Sequence, residues 1–201
     1  FAEGVPLLER AVEYLSSVGD VQRRGLLLRR SHWDELSRGR YETAIELATR
    51  ARDDAQRLSD ATGEAQMELG IGQARLAQGL HAEAIEFLVR AKDRLRMIGD
   101  THCEAEAYWL LGRARCELGQ LDDARKLLER ALEMILEVGD RDDEFRILTD
   151  LARVATAEGD GQTALQFAEN AAVIAEQLNN RDGLGVALVE TAGRGFQPDS
   201  D

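Results

Sequence analysis

Five short turn signals, set 40 residues apart, constrain this chain more than any other feature. Gly19-Asp20, Ser59-Asp60, Gly99-Asp100, Gly139-Asp140 and Asn179-Asn180 recur at that step, and Gly39, Gly79, Gly119 and Gly159 fall half a period away. Two alanine columns keep the same phase, Ala44, Ala84, Ala124, Ala164 and Ala11, Ala51, Ala91, Ala131, Ala171. So do the apolar columns Val18, Leu58, Ile98, Val138, Leu178 and Leu15, Ala55, Leu95, Ile135, Ala175, and the small-residue column Gly72, Gly112, Ala152, Ala192. Self-similarity at a fixed period of this length marks a repeat architecture, in which every copy packs on its neighbours in one way.

Local chemistry says what each half-period is. From Asp100 to Gly119, and again from Gln120 to Gly139, the residues are mostly Ala, Leu, Arg and Glu, which favour helix. Ala124, Leu127, Leu128, Ala131, Leu132 and Ile135 recur at three and four residues, one face of an α-helix. The Asp closing each repeat is placed to cap the next helix, and acids such as Asp142, Asp143 and Glu144 follow it, where the helix dipole favours them. The glycines suit left-handed helix ends, and no proline lies between Pro6 and Pro198 to break a helix. The unit is therefore a helix hairpin, A then B, with arms of roughly 16–18 residues. No alternating pattern is long enough to suggest a sheet.

Composition removes several functions. Lys and Arg number 25 against 38 Asp and Glu, a net charge of -13, which argues against nucleic acid and anionic membrane as partners. No apolar run approaches the roughly 20 residues that span a bilayer. The two cysteines, Cys103 and Cys116, make no disulfide framework, and no cysteine–histidine cluster has zinc spacing. His32, His81 and His102 fall in different repeats or helical phases. Gly183-Leu184-Gly185 lacks the strand and the lysine of a phosphate loop. Asp122-Asp123 and Asp142-Asp143 are explained by helix-start electrostatics rather than paired acid–base work. No enzyme, metal site or cofactor is expected.

The segment Ala105 to Met134, with Gly112, Gly119, Ala124, Leu128 and Ala131, resembles a tetratricopeptide repeat, and segments starting at Gly25, Ala65 and Phe145 follow the same spacing. The period is longer than the family's usual one, similar to the extended repeats of kinesin light chains, spindle-orientation adaptors and MalT-type sensor regions. The family's mid-helix aromatic is replaced by Glu35, Arg75, Arg115 and Ala155, and its closing proline is absent. The resemblance implies an all-α, right-handed solenoid superhelix of antiparallel hairpins. It would consist of an orphan B helix at 1–18, full repeats at 21–58, 61–98, 101–138 and 141–178, an orphan A helix at 181–192 and a flexible tail at 193–201. The unpaired ends, and Phe1 in place of Met, suggest a piece of a longer protein. Leu184, Val186, Leu188 and Val189 would leave the last end sticky and open to self-association.

In such families one arc of helix A lines the concave groove. That arc carries Glu106, Trp109, Leu110, Arg113, Cys116 and Glu117 here, and its equivalents are Arg29, Arg30 and Trp33, then Gln66, Leu69 and Gln73, then Arg146, Thr149, Asp150 and Arg153. Arginines and both tryptophans gather on it in an otherwise acidic chain. Arginine matches carboxylates through two parallel bonds, and tryptophan is a favoured interface anchor. The Lys and Asn of the family's carboxylate clamp are missing. The expectation is a non-catalytic, cytoplasmic module that binds a protein or peptide segment, with an acidic one suited to the arginines. The alternative is a ligand-sensing segment of a larger bacterial signalling or transcription-regulator protein. Arginine-rich usage, with Lys92 and Lys126 the only lysines, points toward a bacterial source.

Overall fold

The computed structural model describes residues 4–180 with Gly183 and Gly185, and side chains from Leu7 onward. Among these residues nine helices follow one another without a strand: α1 (Gly4–Ser17), α2 (Val21–Ser37), α3 (Tyr41–Arg57), α4 (Ala61–Ala77), α5 (His81–Ile98), α6 (Thr101–Glu117), α7 (Leu121–Val138), α8 (Arg141–Ala157) and α9 (Gly161–Gln177). The even-numbered helices are the A arms and the odd-numbered the B arms. From α2 on, each has 17 or 18 residues. Apart from Gly183 and Gly185, the expected helix at 181–192, its apolar side chains and the tail lie outside the described residues. No described helix is long and apolar enough to cross a membrane.

The repeated aspartate works as the sequence implies. Asp20 accepts from the Arg23 amide at 3.0 Å, Asp60 from Gly63 at 2.9 Å, Asp100 from Cys103 at 3.1 Å and Asp140 from Asp143 at 3.1 Å. Each bond satisfies an amide that the first helical turn leaves open. The B arms α3, α5 and α7 follow Arg40, Leu80 and Gln120 and have no side-chain cap. At the repeat boundary the chain turns through the left-handed region, with φ of 82° at Gly139 and 55° at Ser59. Glycine enters that region freely, whereas serine is strained there.

The chain divides into two compact units, Phe1–Ala107 and Tyr108–Asp201, with the boundary inside α6. In the first, consecutive helices from α1 to α5 pack on each other. Val12, Leu28, Leu47, Ala48, Ala51, Met67 and Ile71 form a core shared by α1 to α4. In the second, α8 packs on α7 and α9, and Phe145, Leu148, Ala171, Ile174 and Ala175 are buried together.

The small-residue column is where arm A meets arm B. A Cβ added to Gly112 would lie 2.7 Å from Leu128 Cγ and 3.2 Å from the Ala124 carbonyl oxygen; at Gly72 it would lie 2.6 Å from Leu88 Cγ. The first full repeat has His32 in this column, and Ala48 in register with Leu88 and Leu128. His32 is fully buried. Its Nδ1–H donates to the Ala44 carbonyl at 2.8 Å, so the neutral ring leaves Nε2 bare, and Nε2 has no partner. A Cβ on Gly70 would come within 2.2 Å of that nitrogen, so Gly70 provides the space for the ring. Burial pushes the His32 pKa down, against the opposing bond to Ala44.

Candidate functional site

The candidate residues of the first unit do not form a free basic face. Arg29 is half-buried and its Nη1 lies 3.5 Å from Asp60, the cap of α4. Gly63 makes this approach possible, since a Cβ there would sit 2.8 Å from that Nη1. Arg30 is exposed, and Trp33 is 38% exposed with its ring edge-on to His32 at 4.7 Å. Gln73 is half-buried with its Oε1 unpartnered. Leu69 is buried, so it is core rather than contact surface. Burial, then Asp100, push the half-buried Cys103 thiol up to about 12, so it stays protonated and is a poor nucleophile.

In the second unit the sequence candidates converge. Trp109 and Arg113 stand on α6 and Arg146, Asp150 and Arg153 on α8, at spacings that put each set on one side of its helix. The Trp109 indole N–H donates to Asp150 at 2.6 Å. Arg113 Nε lies 3.5 Å from the same carboxylate, and Arg153 Nη2 reaches it at 3.0 Å. The guanidinium carbons of Arg113 and Arg146 lie 5.4 Å and 5.9 Å from the indole centroid, within cation–π range. Trp109 thus seats two cations on its ring and orients the acid between two arginines. Burial raises the Asp150 pKa in spite of Arg113, Arg153 and the indole bond, which all favour the charged form.

Two expectations need correction. Trp109 is only 7% exposed, so it supports the arginines instead of offering an open anchor. The arginines are not a free positive strip either: Arg146 pairs with Asp143 at 3.2 Å, and Arg153 with Glu117 at 3.2 Å as well as with Asp150. Thr149 is spent on its own helix, donating to the Phe145 carbonyl at 2.9 Å. Asp143 and Glu117 escaped the sequence reading as partners. The spacing of Asp143 to Arg146 could have revealed the first pair. The second joins neighbouring A arms, and its signal is the repeat register, one period less four residues. Cys116 borders the cluster, its thiol pKa raised by burial with Arg153 opposing.

What the cluster retains is solvent access to its arginine side chains. The Nε atoms of Arg113 and Arg153 are buried and have no hydrogen-bond partner, although the two side chains remain 37% and 39% exposed. Arg113 is held by stacking and a long ion pair, not consumed by them.

A sequence model described as tetratricopeptide repeat matches residues 63–137 and 103–177. No curated protein matches the chain. Among solved structures, the apo form of RapI superposes with a TM-score of 0.86 at 15% identity, covering 97% of this chain and 70% of RapI. A Rap protein complexed with competence and sporulation factor gives 0.82 at 18% identity, covering 94% of this chain and 54% of the Rap chain. PH0952 of Pyrococcus horikoshii, a signal-transduction ATPase with a tetratricopeptide repeat sensor, gives 0.75 at 18% identity, covering 90% of this chain and 27% of the ATPase. At such identities the likeness establishes the fold alone.

Proposed function

The chain belongs to the tetratricopeptide-repeat family, and on that premise we propose that it is a non-catalytic binding module. Its second unit holds a peptide or protein segment against Arg113, Arg146 and Arg153, which Trp109 and Asp150 hold in place. The observation that carries this reading is Arg113, fixed over Trp109 and beside Asp150 while its side chain stays 37% exposed. A partner carboxylate meets there a guanidinium whose orientation is already set, so less side-chain freedom is lost on binding. Acidic segments are favoured through that local geometry and not through bulk charge, because Asp143, Asp150 and Glu117 offset the arginines.

The Rap chain of similar fold is complexed with competence and sporulation factor, and the repeats of PH0952 are described as a sensor. Those likenesses favour the second reading, a sensing segment within a longer cytoplasmic regulator of a bacterium, in which occupancy of the cluster controls an attached effector. An effector domain encoded in the same gene would separate it from a free-standing module.

Arrayed acidic and neutral peptides test the binding reading. Arg113→Ala should weaken retention of acidic sequences by about 1–3 kcal/mol, the scale of one hydrogen bond to a charged group, while Arg57→Ala on α3 leaves it unchanged. Equal losses in both variants would refute the site.

A further inference from the structure

The first unit contains a cavity at a layer where later repeats carry bulkier side chains. It has a volume of about 370 Å³ and lies between α2 and α3, beside the start of α4, with Gly25, Leu26, Arg29, Ala55, Leu58 and Asp60 among its walls. Its size follows from the repeat columns. The position of Gly25 is Ala65, Ala105 and Phe145 in later copies, and that of Ala55 is Leu95, Ile135 and Ala175. Leu95 and Ile135 are buried, as is Phe145. Each later copy therefore places one bulky side chain in this layer, and the first places none. Arg29 stands where the buried Leu69 and Trp109 stand further on.

The cavity has two chemically distinct parts. Leu26 and Leu58 flank it, 51% and 46% exposed, beside the small side chains of Ala51 and Ala55. At the rim, Arg29 and Asp60 lie side by side at 3.5 Å, a contact too long and too single to use up either group. One Asp60 oxygen caps Gly63, and the other faces Arg29. A site with aliphatic residues in its walls and one charge of each sign beside them matches a ligand with the same three parts.

We propose that this cavity binds a free α-amino acid with an aliphatic side chain. The side chain enters between Leu26 and Leu58 above Gly25 and Ala55, the α-carboxylate pairs with Arg29, and the α-ammonium with Asp60. Opposite charges at the rim disfavour a plain anion, which Asp60 would repel, and equally a plain amine, which Arg29 would repel. The site is separate from the Arg113 cluster and stands or falls without it.

Amide shifts of the full chain in NMR titrations test the proposal, with L-leucine as the probe. Leucine should perturb Gly25, Ala51, Ala55 and Gly63 saturably. N-acetyl-leucine lacks the ammonium and leucinamide the carboxylate, and each should bind weaker by roughly tenfold or more, the loss of one charged hydrogen bond. Glycine, without a side chain, should cause no saturable shift. Ala55→Leu installs the residue of position 95 and should abolish binding while the thermal midpoint stays the same or rises. Arg29→Gln keeps the core intact and should remove the preference for leucine over leucinamide, and Arg113→Ala should change nothing. Absence of saturable shifts with millimolar leucine, equal binding of all three leucine compounds, or unchanged binding in both first-unit variants would overturn it.

Discussion

His32 and Gly112 hold equivalent places in the two units, yet the packing around them is opposite in kind. In the second unit, Gly112 lets Leu128 come against the helix backbone, and an added Cβ would lie 2.7 Å from Leu128. The first unit has a histidine ring bonded to the Ala44 carbonyl, with Ala48 where the leucine would be and Gly70 opposite Nε2. The lesson is that the repeat fixes the backbone path and the total volume between the arms, while which arm supplies that volume varies by copy. Where the volume is supplied by a polar ring, the unit also acquires a group that titrates.

The contrast can be broken most strongly at Gly112. Leucine there meets Leu128 and the fixed Ala124 carbonyl, so Gly112→Leu should cost about 3 kcal/mol, at the upper end for overpacking. Urea melts would measure it, and a loss near zero would show that the second unit is looser than its distances imply.

Acid should separate the two units. The folded-state pKa of His32 is depressed by burial, so its contribution is complete above the ordinary histidine pKa of about 6.5 and is lost as pH falls through that value toward the folded pKa. Asp150 behaves in the reverse sense. Its folded pKa is raised, by burial first, so its contribution is complete below the ordinary carboxylate range and is lost as pH rises through the folded pKa. Hydrogen exchange corrected for intrinsic rate should therefore show protection of α2 and α3 falling between pH 7 and about pH 5, while Asp150→Asn removes a pH dependence confined to the second unit. Protection of α2 and α3 that is flat across this range would exclude a buried neutral His32.

The smallest effect is expected at a repeat boundary. Ser59 occupies a left-handed conformation where Gly19, Gly99 and Gly139 stand in other copies. Ser59→Gly should stabilise by no more than about 1 kcal/mol, because glycine removes the strain but has more freedom to lose on folding. A differential melt resolves this, and destabilisation would mean that Ser59 contributes something other than its backbone shape.

The helices were legible because their signals are local. The Asp20, Asp60, Asp100 and Asp140 caps bond as their spacing implies, and the Gly72 and Gly112 column lies at the close approach of the arms. The candidate site was legible only as a set of positions. Trp109 and Asp150 are 41 residues apart, a separation visible only once adjacent repeats are set in register. The burial of Trp109 depends on what surrounds its ring, which a single helical arc does not reveal. His32 fell outside the small-residue column because its residue type conceals its place, and its compensation is divided between Ala48 and Gly70 on two other helices.

The claim that volume is shared between the arms is tested most directly by moving it. His32→Gly alone should leave a void and cost about 3 kcal/mol, and Ala48→Leu alone should overpack against the ring by about 1–3 kcal/mol. Together they rebuild the Gly72 and Leu88 pair in the first unit. A double-mutant cycle read by urea unfolding should then show recovery, with a coupling of at least about 2 kcal/mol, along with loss of the His32-linked acid sensitivity. Strictly additive losses would contradict the account, since they would mean that the two positions do not share one space.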